Sequence, residues 1–299
     1  MVLATAAKEP KRAAMSDRVS RKRRHRVSPS ELEILTLLAD KPLLSGKQIA
    51  LLRTSSTAWT WRLLGHLEKR GLLVSSIPPA QVDTLTNRCY HLSDPGIREL
   101  ARREGTTPGR YARERWLSRS RLTTLFNSLD HTRASRQFFV DLATRARKYE
   151  AEGLEVWLDE AAASRRYLWH GEVRLLRPDG YGVYRQDGRR LAFFLEWDSG
   201  NSGIKRHRRK LRTYHECRAT LDDQTFPAIL IVTVQDRVRQ LNRAAIEVSQ
   251  HRRDHLLPLL IARRTELESA GAFKCPWLDV RRQQIATLES IPDIWVDVP

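Results

Sequence analysis

A single dipeptide, Asp187-Gly188, does more than any other feature to limit how this chain folds. It separates two runs of strand-forming residues. Asp-Gly in that setting is the strongest short hairpin signal, because both central residues of the tightest turns need positive φ. A two-residue turn leaves one register, in which Tyr181 opposes Phe194 and Asp179 opposes Glu196. Side chains alternate along a strand, so Asp198, two positions beyond Glu196, shares their face. Directly opposed Cβ atoms lie about 4.5–5.5 Å apart, and like charges there oppose folding unless a cation intervenes. The neighbours Phe193, Phe194, Leu195 and Trp197 place these acids in apolar company, where unpaired charge is costly. Two resolutions are open. Asp179, Glu196 and Asp198 can share a divalent ion, and an all-oxygen set favours Mg²⁺ or Mn²⁺ over zinc. Alternatively, Arg177 or Lys210 holds the acids in plain ion pairs.

The segments around this hairpin define one α/β unit over residues 129–299. An amphipathic helix is expected from about Thr132 to Ala151, with Phe138, Phe139, Leu142 and Ala146 as its buried stripe. Leu154–Leu158 reads as a strand. A basic helix follows the hairpin from about Gly203 to Ala219, carrying Lys205, Arg206, Arg208, Arg209, Lys210, Arg212 and Arg218 against one acid, Glu216. The run Ala228–Val234 is uninterrupted and apolar, as in a central strand covered on both faces. The expected order is helix, three strands, helix, strand. An Arg-rich helix (Asp236–Arg253) and a tail bearing Trp277 and Trp295 come after it, and recruitment of a protein partner through this region is a further option.

The N-terminal third reads differently. Residues 1–27 form a basic arm, with nine Lys/Arg between Lys8 and Arg26 against Glu9 and Asp17. Order begins at Ser28-Pro29-Ser30-Glu31, a capping box with proline at the first helical position, and Ser45-Gly46-Lys47-Gln48 repeats the logic. A third helix runs from Ser55 or Ser56 to about Arg70 and ends at Gly71. Strand-like Leu72–Val74 and Arg88–Leu92 then flank a turn-rich stretch. Three helices and a hairpin over residues 28–102 describe a winged helix-turn-helix. Its third helix puts Leu63, Leu64 and Leu67, flanked by Trp59, on one side, and Thr57, Ala58, Trp61, Arg62 and Gly65 on the other. A small, polar and basic outer face suits the major groove of double-stranded DNA, with Lys47, Thr57, Trp61, Arg62 and Arg88 as contacts here and Arg206 and Arg209 on the later basic helix. Such units often pair on two half-sites, so a homodimer is the matching expectation. Residues 103–128 are an Arg-rich linker or helix punctuated by Gly105–Gly109.

The charge agrees. The 299 residues carry 53 Lys+Arg against 35 Asp+Glu, a net +18 that favours polyanions. The longest apolar runs fall far short of the roughly 20 residues a spanning helix needs. Met1–Ala7 lacks the charged start and long apolar core of a secretory signal, and three scattered cysteines form no disulfide framework, so the expected setting is the reducing cytoplasm.

Arg177-Pro178-Asp179-Gly180-Tyr181, then Phe194-Leu195-Glu196-Trp197-Asp198-Ser199-Gly200, then Lys210-Leu211-x-x-Tyr214, after an N-terminal winged helix, resembles the replication-relaxation family of bacterial plasmids and conjugative elements. Trp157-Leu158-Asp159-Glu160 fits as well, and the likeness covers residues 28–235. The second half is similar in pattern to the PD-(D/E)XK nuclease-like fold, giving an α+β or α/β chain overall. That resemblance implies a metal-dependent phosphodiesterase site with Asp179 and Glu196 as ligands, joined by Asp198. Where the nuclease pattern has Lys, this chain has Asp198; Lys210 is the candidate to supply the ammonium, Lys205 a weaker one, with Tyr214 and Glu160 as accessories. It implies replication or mobilisation of a mobile element, with a relaxase or other replication protein as partner. A non-catalytic DNA-binding regulator or accessory factor that retains the fold is the alternative.

Overall fold

The structure, a computed structural model, describes residues 26–77, 88–221, 226–234, 237–250 and 256–297. The basic arm up to residue 25 and the tip of the N-terminal hairpin, 78–87, lie outside the described residues. Helix α1 (Pro29–Asp40) starts at the expected capping box: the Ser28 hydroxyl accepts from the Glu31 amide, and the Glu31 carboxylate accepts from the Ser28 amide. Strand β1 (Leu44–Ser45), which the sequence did not signal, leads into α2 (Gly46–Arg53), capped the same way by Ser45 and Gln48. Helix α3 (Thr57–Lys69), β2 (Leu73–Ser76), β3 (Cys89–Leu92) and α4 (Asp94–Arg103) complete the unit, whose antiparallel sheet has the order β1-β3-β2. Ile34, Leu35, Leu38, Leu64 and Leu67 fill its core at 0% exposure. Each such side chain contributes about 1.5–3 kcal/mol relative to exposure.

The Arg-rich segment expected to be a linker or helix is helical. α5 (Pro108–Glu114) and α6 (Arg119–Asn127) occupy it, and Tyr111 and Leu117 are buried in the N-terminal core. Helix α7 (Leu129–Ala146) is three residues earlier at its start and five shorter at its end than the periodicity implied. It joins the two halves of the chain. The Gln48 amide of α2 donates to the Arg133 carbonyl and to Gln137, at 3.2 and 3.1 Å, and Arg147 donates to the carbonyls of Leu51 and Leu52.

Strand β4 (Glu152–Asp159) follows, then the short helix α8 (Glu160–Ala163) and a separate two-stranded hairpin, β5 (Arg165–Trp169) and β6 (Glu172–Leu176). The sequence order of three consecutive strands missed this insertion. β7 (Gly180–Gln186) and β8 (Arg189–Trp197) form the Asp187-Gly188 hairpin in the expected register, from Gln186 opposite Arg189 to Gly180 opposite Leu195. Both turn residues have positive φ, +48° and +76°. Then come α9 (Ile204–Arg218), β9 (Ala228–Thr233), α10 (Val238–Gln250), β10 (Leu259–Arg263), α11 (Arg264–Lys274), β11 (Trp277–Asp279), β12 (Gln284–Ala286), two 3₁₀ turns and β13 (Val296–Asp297).

The large sheet has the order β12-β11-β10-β9-β8-β7-β4, with β13 paired to the start of β8. β9 runs parallel to β8 and to β10, and the other pairings are antiparallel. Strict alternation assigns the faces. Phe193, Leu195 and Trp197 of β8 pack with Phe138 and Phe139 of α7 and Phe273 of α11, whereas Phe194 packs with Leu211 and Tyr214 of α9 and Leu241 of α10. The sheet is therefore covered on both sides at its centre.

Gly180 and Gly182 allow that closeness. A methyl group at Gly180 would lie 2.6 Å from Phe139 Cε2, and one at Gly182 would lie 2.4 Å from Phe193 Cζ. Gly65, on α3, has nothing within 4 Å of such a methyl. Gly182→Ala is expected to lower unfolding free energy in urea by about 1–3 kcal/mol through overpacking, and Gly65→Ala to raise it by about 0.5–1 kcal/mol by restricting the unfolded chain. Equal effects at the two positions would contradict the packing described.

Candidate functional site

Because Phe194 faces α9, Glu196 and Asp198 face it too, and Glu196 is the acid that this alternation drives into the interior. A cavity of about 410 Å³ opens at this end of β8, with Glu160, Asp179, Glu196, Asp198, Arg206 and Lys210 in its walls. Asp179 stands just before β7 and is aligned by backbone bonds. Its own amide donates to the Leu195 carbonyl at 3.0 Å, and its Oδ2 accepts from the Trp197 amide at 2.7 Å. Lys210 projects from α9 between the two carboxylates. Its Nζ lies 3.9 Å from Asp179 Oδ1 and is in direct contact with Glu196 Oε2. The Tyr214 hydroxyl, one turn further along α9, donates to Glu196 Oε1. His131, near the start of α7, brings Nε2 to 3.3 Å from Asp179 Oδ2.

These contacts tune the groups apart. Burial and the negative charge of Asp179 push Glu196 up to about 7, against the pull of Lys210 and Tyr214. Asp179 also suffers burial, but Lys210, His131 and the Trp197 amide outweigh it and hold the carboxyl below its usual range. Burial works against the charge on Lys210, yet Glu196 and Asp179 raise its pKa overall. Burial and Glu196 raise the Tyr214 phenol well above its ordinary value, so it remains the donor. At neutral pH the cluster holds an ionised Asp, a protonated Lys and a Glu divided between its two forms, an arrangement able to accept and release a proton where it meets the cavity.

Asp198 lines the same cavity but its oxygens turn elsewhere. They accept from Thr233 Oγ1 at 2.7 Å, the Gly200 amide at 3.1 Å and Arg237 Nη1 at 3.0 Å, with His207 Nε2 at 3.4 Å. Among the described residues, no group of three or more His, Cys, Asp or Glu side chains is arranged to hold a metal ion. The expected convergence of three carboxylates is thus two carboxylates around an ammonium, with Asp198 drawn away by the guanidinium of Arg237. His131, His207 and Arg237 were not found from the sequence. His131 had a usable signal, since it lies on the α7 stripe that leads to Phe139, the ring pressed against Gly180.

The remaining expected residues are dispersed. Glu160 is exposed on the cavity wall, and its charge adds to the raised pKa of Lys210. Arg206 lines the cavity and Arg209 is exposed. On α3, Thr57 and Arg62 are exposed, but the two tryptophans sit opposite to the sequence reading. Trp59 is 44% exposed beneath the Arg62 guanidinium, 5.2 Å from its ring centre, while Trp61 packs on Gly46 against the core. The physical reason is Gly46, whose missing side chain leaves room for the indole. Lys47 is exposed beside the groove between α2 and α7, and Arg88 stands 3.9 Å from Glu68. No described helix is long and apolar enough to cross a membrane.

A protein-family model described as replication-relaxation matches residues 35–229, from α1 to the start of β9. Comparison with curated proteins and with solved structures gave no match.

The Asp198 contacts yield a stability prediction. Although burial opposes its charge, His207, Thr233 and the Gly200 amide hold the carboxyl down at about 2, below its ordinary 3.8. A depressed acid contributes stability that is complete above about pH 4 and lost as pH falls towards 2. At about 1.4 kcal/mol per unit, Asp198→Asn is expected to cost about 2 kcal/mol at pH 7 in equilibrium denaturation, with the gap to wild type closing in acid. A gap that persists unchanged at pH 2 would contradict the charge-based account.

Proposed function

This chain belongs to the replication-relaxation family, and we propose that it binds double-stranded DNA of a plasmid or other mobile element and processes it at the Asp179–Glu196–Lys210 pocket. The observation that carries the reading is the Lys210 ammonium between Asp179 and the buried Glu196, supplied from α9 where the nuclease pattern would place a lysine on the strand. The element order supports it. α7, β4, β7, β8, α9 and β9, with β8 parallel to β9, follow the α-β-β-β-α-β order of PD-(D/E)XK-like domains, and β5–β6 is an insertion within that order. The N-terminal unit, with the helix-strand-helix-helix-strand-strand order of a winged helix-turn-helix, presents Thr57, Trp59 and Arg62 to solvent for the duplex.

The donor set fits a hard divalent ion. Asp179 Oδ1 and Glu196 Oε2 already face a common cation, and Mg²⁺ is held by one or two carboxylates plus water and phosphate oxygens. Such an ion supplies positive charge at the phosphate and makes water easier to deprotonate. The protein's own groups do the rest. His131 and the Trp197 amide fix Asp179, and Tyr214 fixes Glu196. Glu196, held by Tyr214, would serve with Asp179 as a carboxylate ligand to such an ion. Lys210 stabilises the charge that grows on the phosphate, and Arg206 in the cavity wall binds a neighbouring phosphate.

Nicking of supercoiled plasmid with Mg²⁺ or Mn²⁺ tests this. Asp179→Ala, Glu196→Ala and Lys210→Met are each expected to reduce cleavage at least about 100-fold, the range for losing a catalytic acid–base group or charge stabiliser, while duplex affinity stays near wild type. Cleavage undiminished in all three removes the pocket from the proposal. The accessory-factor reading draws on a specific observation as well: with Lys210 and Arg237 neutralising the acids, the fold is electrostatically satisfied by its own side chains. It requires DNA binding without cleavage in either metal and no loss of affinity on adding a chelator.

A further inference from the structure

The β5–β6 hairpin is rooted in the pocket. It leaves the sheet after Glu160 and returns into Pro178-Asp179, so both its stems end at the cavity wall. An isolated two-stranded hairpin is marginal in water, and this one is held by its inner face. There Tyr167 and Leu176 are buried, and Tyr167 and Arg174 both donate to Glu216 of α9. The outer face has no such explanation. Leu168 pairs across the strands with Val173, and Arg166 with Leu175, so these four side chains share one side. Leu168 is 61% exposed, Val173 72% and Leu175 38%. Three apolar side chains left in water by a hairpin whose inner face supplies its packing mark a contact surface.

The surroundings identify the partner. Lys205, Arg209 and Arg212 are exposed and lie four, three and four residues apart on the α9 stripe that ends at Glu216, where the hairpin docks. Arg166 stands among the apolar residues and Arg177 is exposed at the root. An apolar projection that carries Arg166 and stands on a helix with exposed cations matches stacked bases bordered by phosphates, and aliphatic side chains are common wedges between base steps. We propose that the β5–β6 hairpin is a DNA wedge: Leu168 and Val173 enter between base pairs next to the pocket, and Lys205, Arg209 and Arg212 hold the adjoining phosphates. The wedge unstacks the duplex where the strand reaches Asp179 and Glu196, which makes an opened or kinked duplex the substrate class. This rests on the DNA-binding reading above.

The test uses the full chain and duplexes carrying 2-aminopurine at successive positions, with Leu168→Ser/Val173→Ser compared with wild type. Both substitutions are on exposed positions, and unchanged thermal melting confirms the fold. Wild type is expected to raise 2-aminopurine fluorescence several-fold at one or two adjacent positions, and the double variant to lose that rise while still binding. Arg209→Ala is expected to leave the rise in place and to reduce the slope of log affinity against log salt by about one. Binding by wild type with no fluorescence change at any position, or an equal rise in the double variant, overturns the wedge and leaves the DNA-binding reading standing. Absence of wild-type binding to any duplex overturns both. A double variant that unstacks DNA normally but no longer self-associates in sedimentation assigns the patch to a second copy and overturns the wedge.

Discussion

Everything in the C-terminal half is arranged around one unfavourable burial, that of Glu196 in the central strand β8. Apolar residues precede and follow it, parallel and antiparallel neighbours pair both edges of the strand, and helices cover both faces. A carboxylate in that position must be neutralised, by a proton or by a partner. The structure uses both: Glu196 binds a proton far more readily than an ordinary carboxylate, and Lys210 brings a counter-charge. Lys210 pays part of the cost in turn through its own burial, which only a pair of acids can offset. Stability alone gives no reason for such an arrangement, since apolar residues of similar volume serve as well or better.

The two faces of the sheet share this work unequally. α9 provides the groups that touch Glu196, while α7, on the opposite face, reaches past the end of β7 to place His131 on Asp179. That reach depends on Gly180 and Gly182, which lower α7 onto the sheet through Phe139. The same helix carries the N-terminal unit through Gln48 and Arg147. One helix thus connects the N-terminal unit to the orientation of a pocket carboxylate.

Much of this was legible in advance where local chemistry was decisive. Asp187-Gly188 fixed a register that the structure reproduces pair by pair, and the two capping boxes placed α1 and α2 within a residue. Of the pocket's members, Asp179 and Glu196 followed from the hairpin register, and Lys210 and Tyr214 from the family resemblance. What failed to show were features set by tertiary partners. The β5–β6 insertion lacks a tight-turn signature, because its reversal at His170-Gly171 uses an αL histidine in place of Asn or Asp. Trp61 and Trp59 exchanged roles because a glycine on another helix made room for one of them. Asp198 left the expected trio because Arg237, thirty-nine residues later, competes for it, and no pattern near Asp198 announces that arginine.

The last described strand, β13, lies along the beginning of β8 and pairs Val296 with Arg190 and Asp297 with Arg189. Between them in the chain come β9, β10 and α11, all of which pack on β8 or its neighbours. During synthesis, therefore, the N-terminal unit has everything it needs long before the ribosome has delivered the partners of the central strand. The N-terminal half is thus complete in sequence first and the half that holds the buried acids last, so the strand carrying Glu196 gains its full set of neighbours only when β13 is in place.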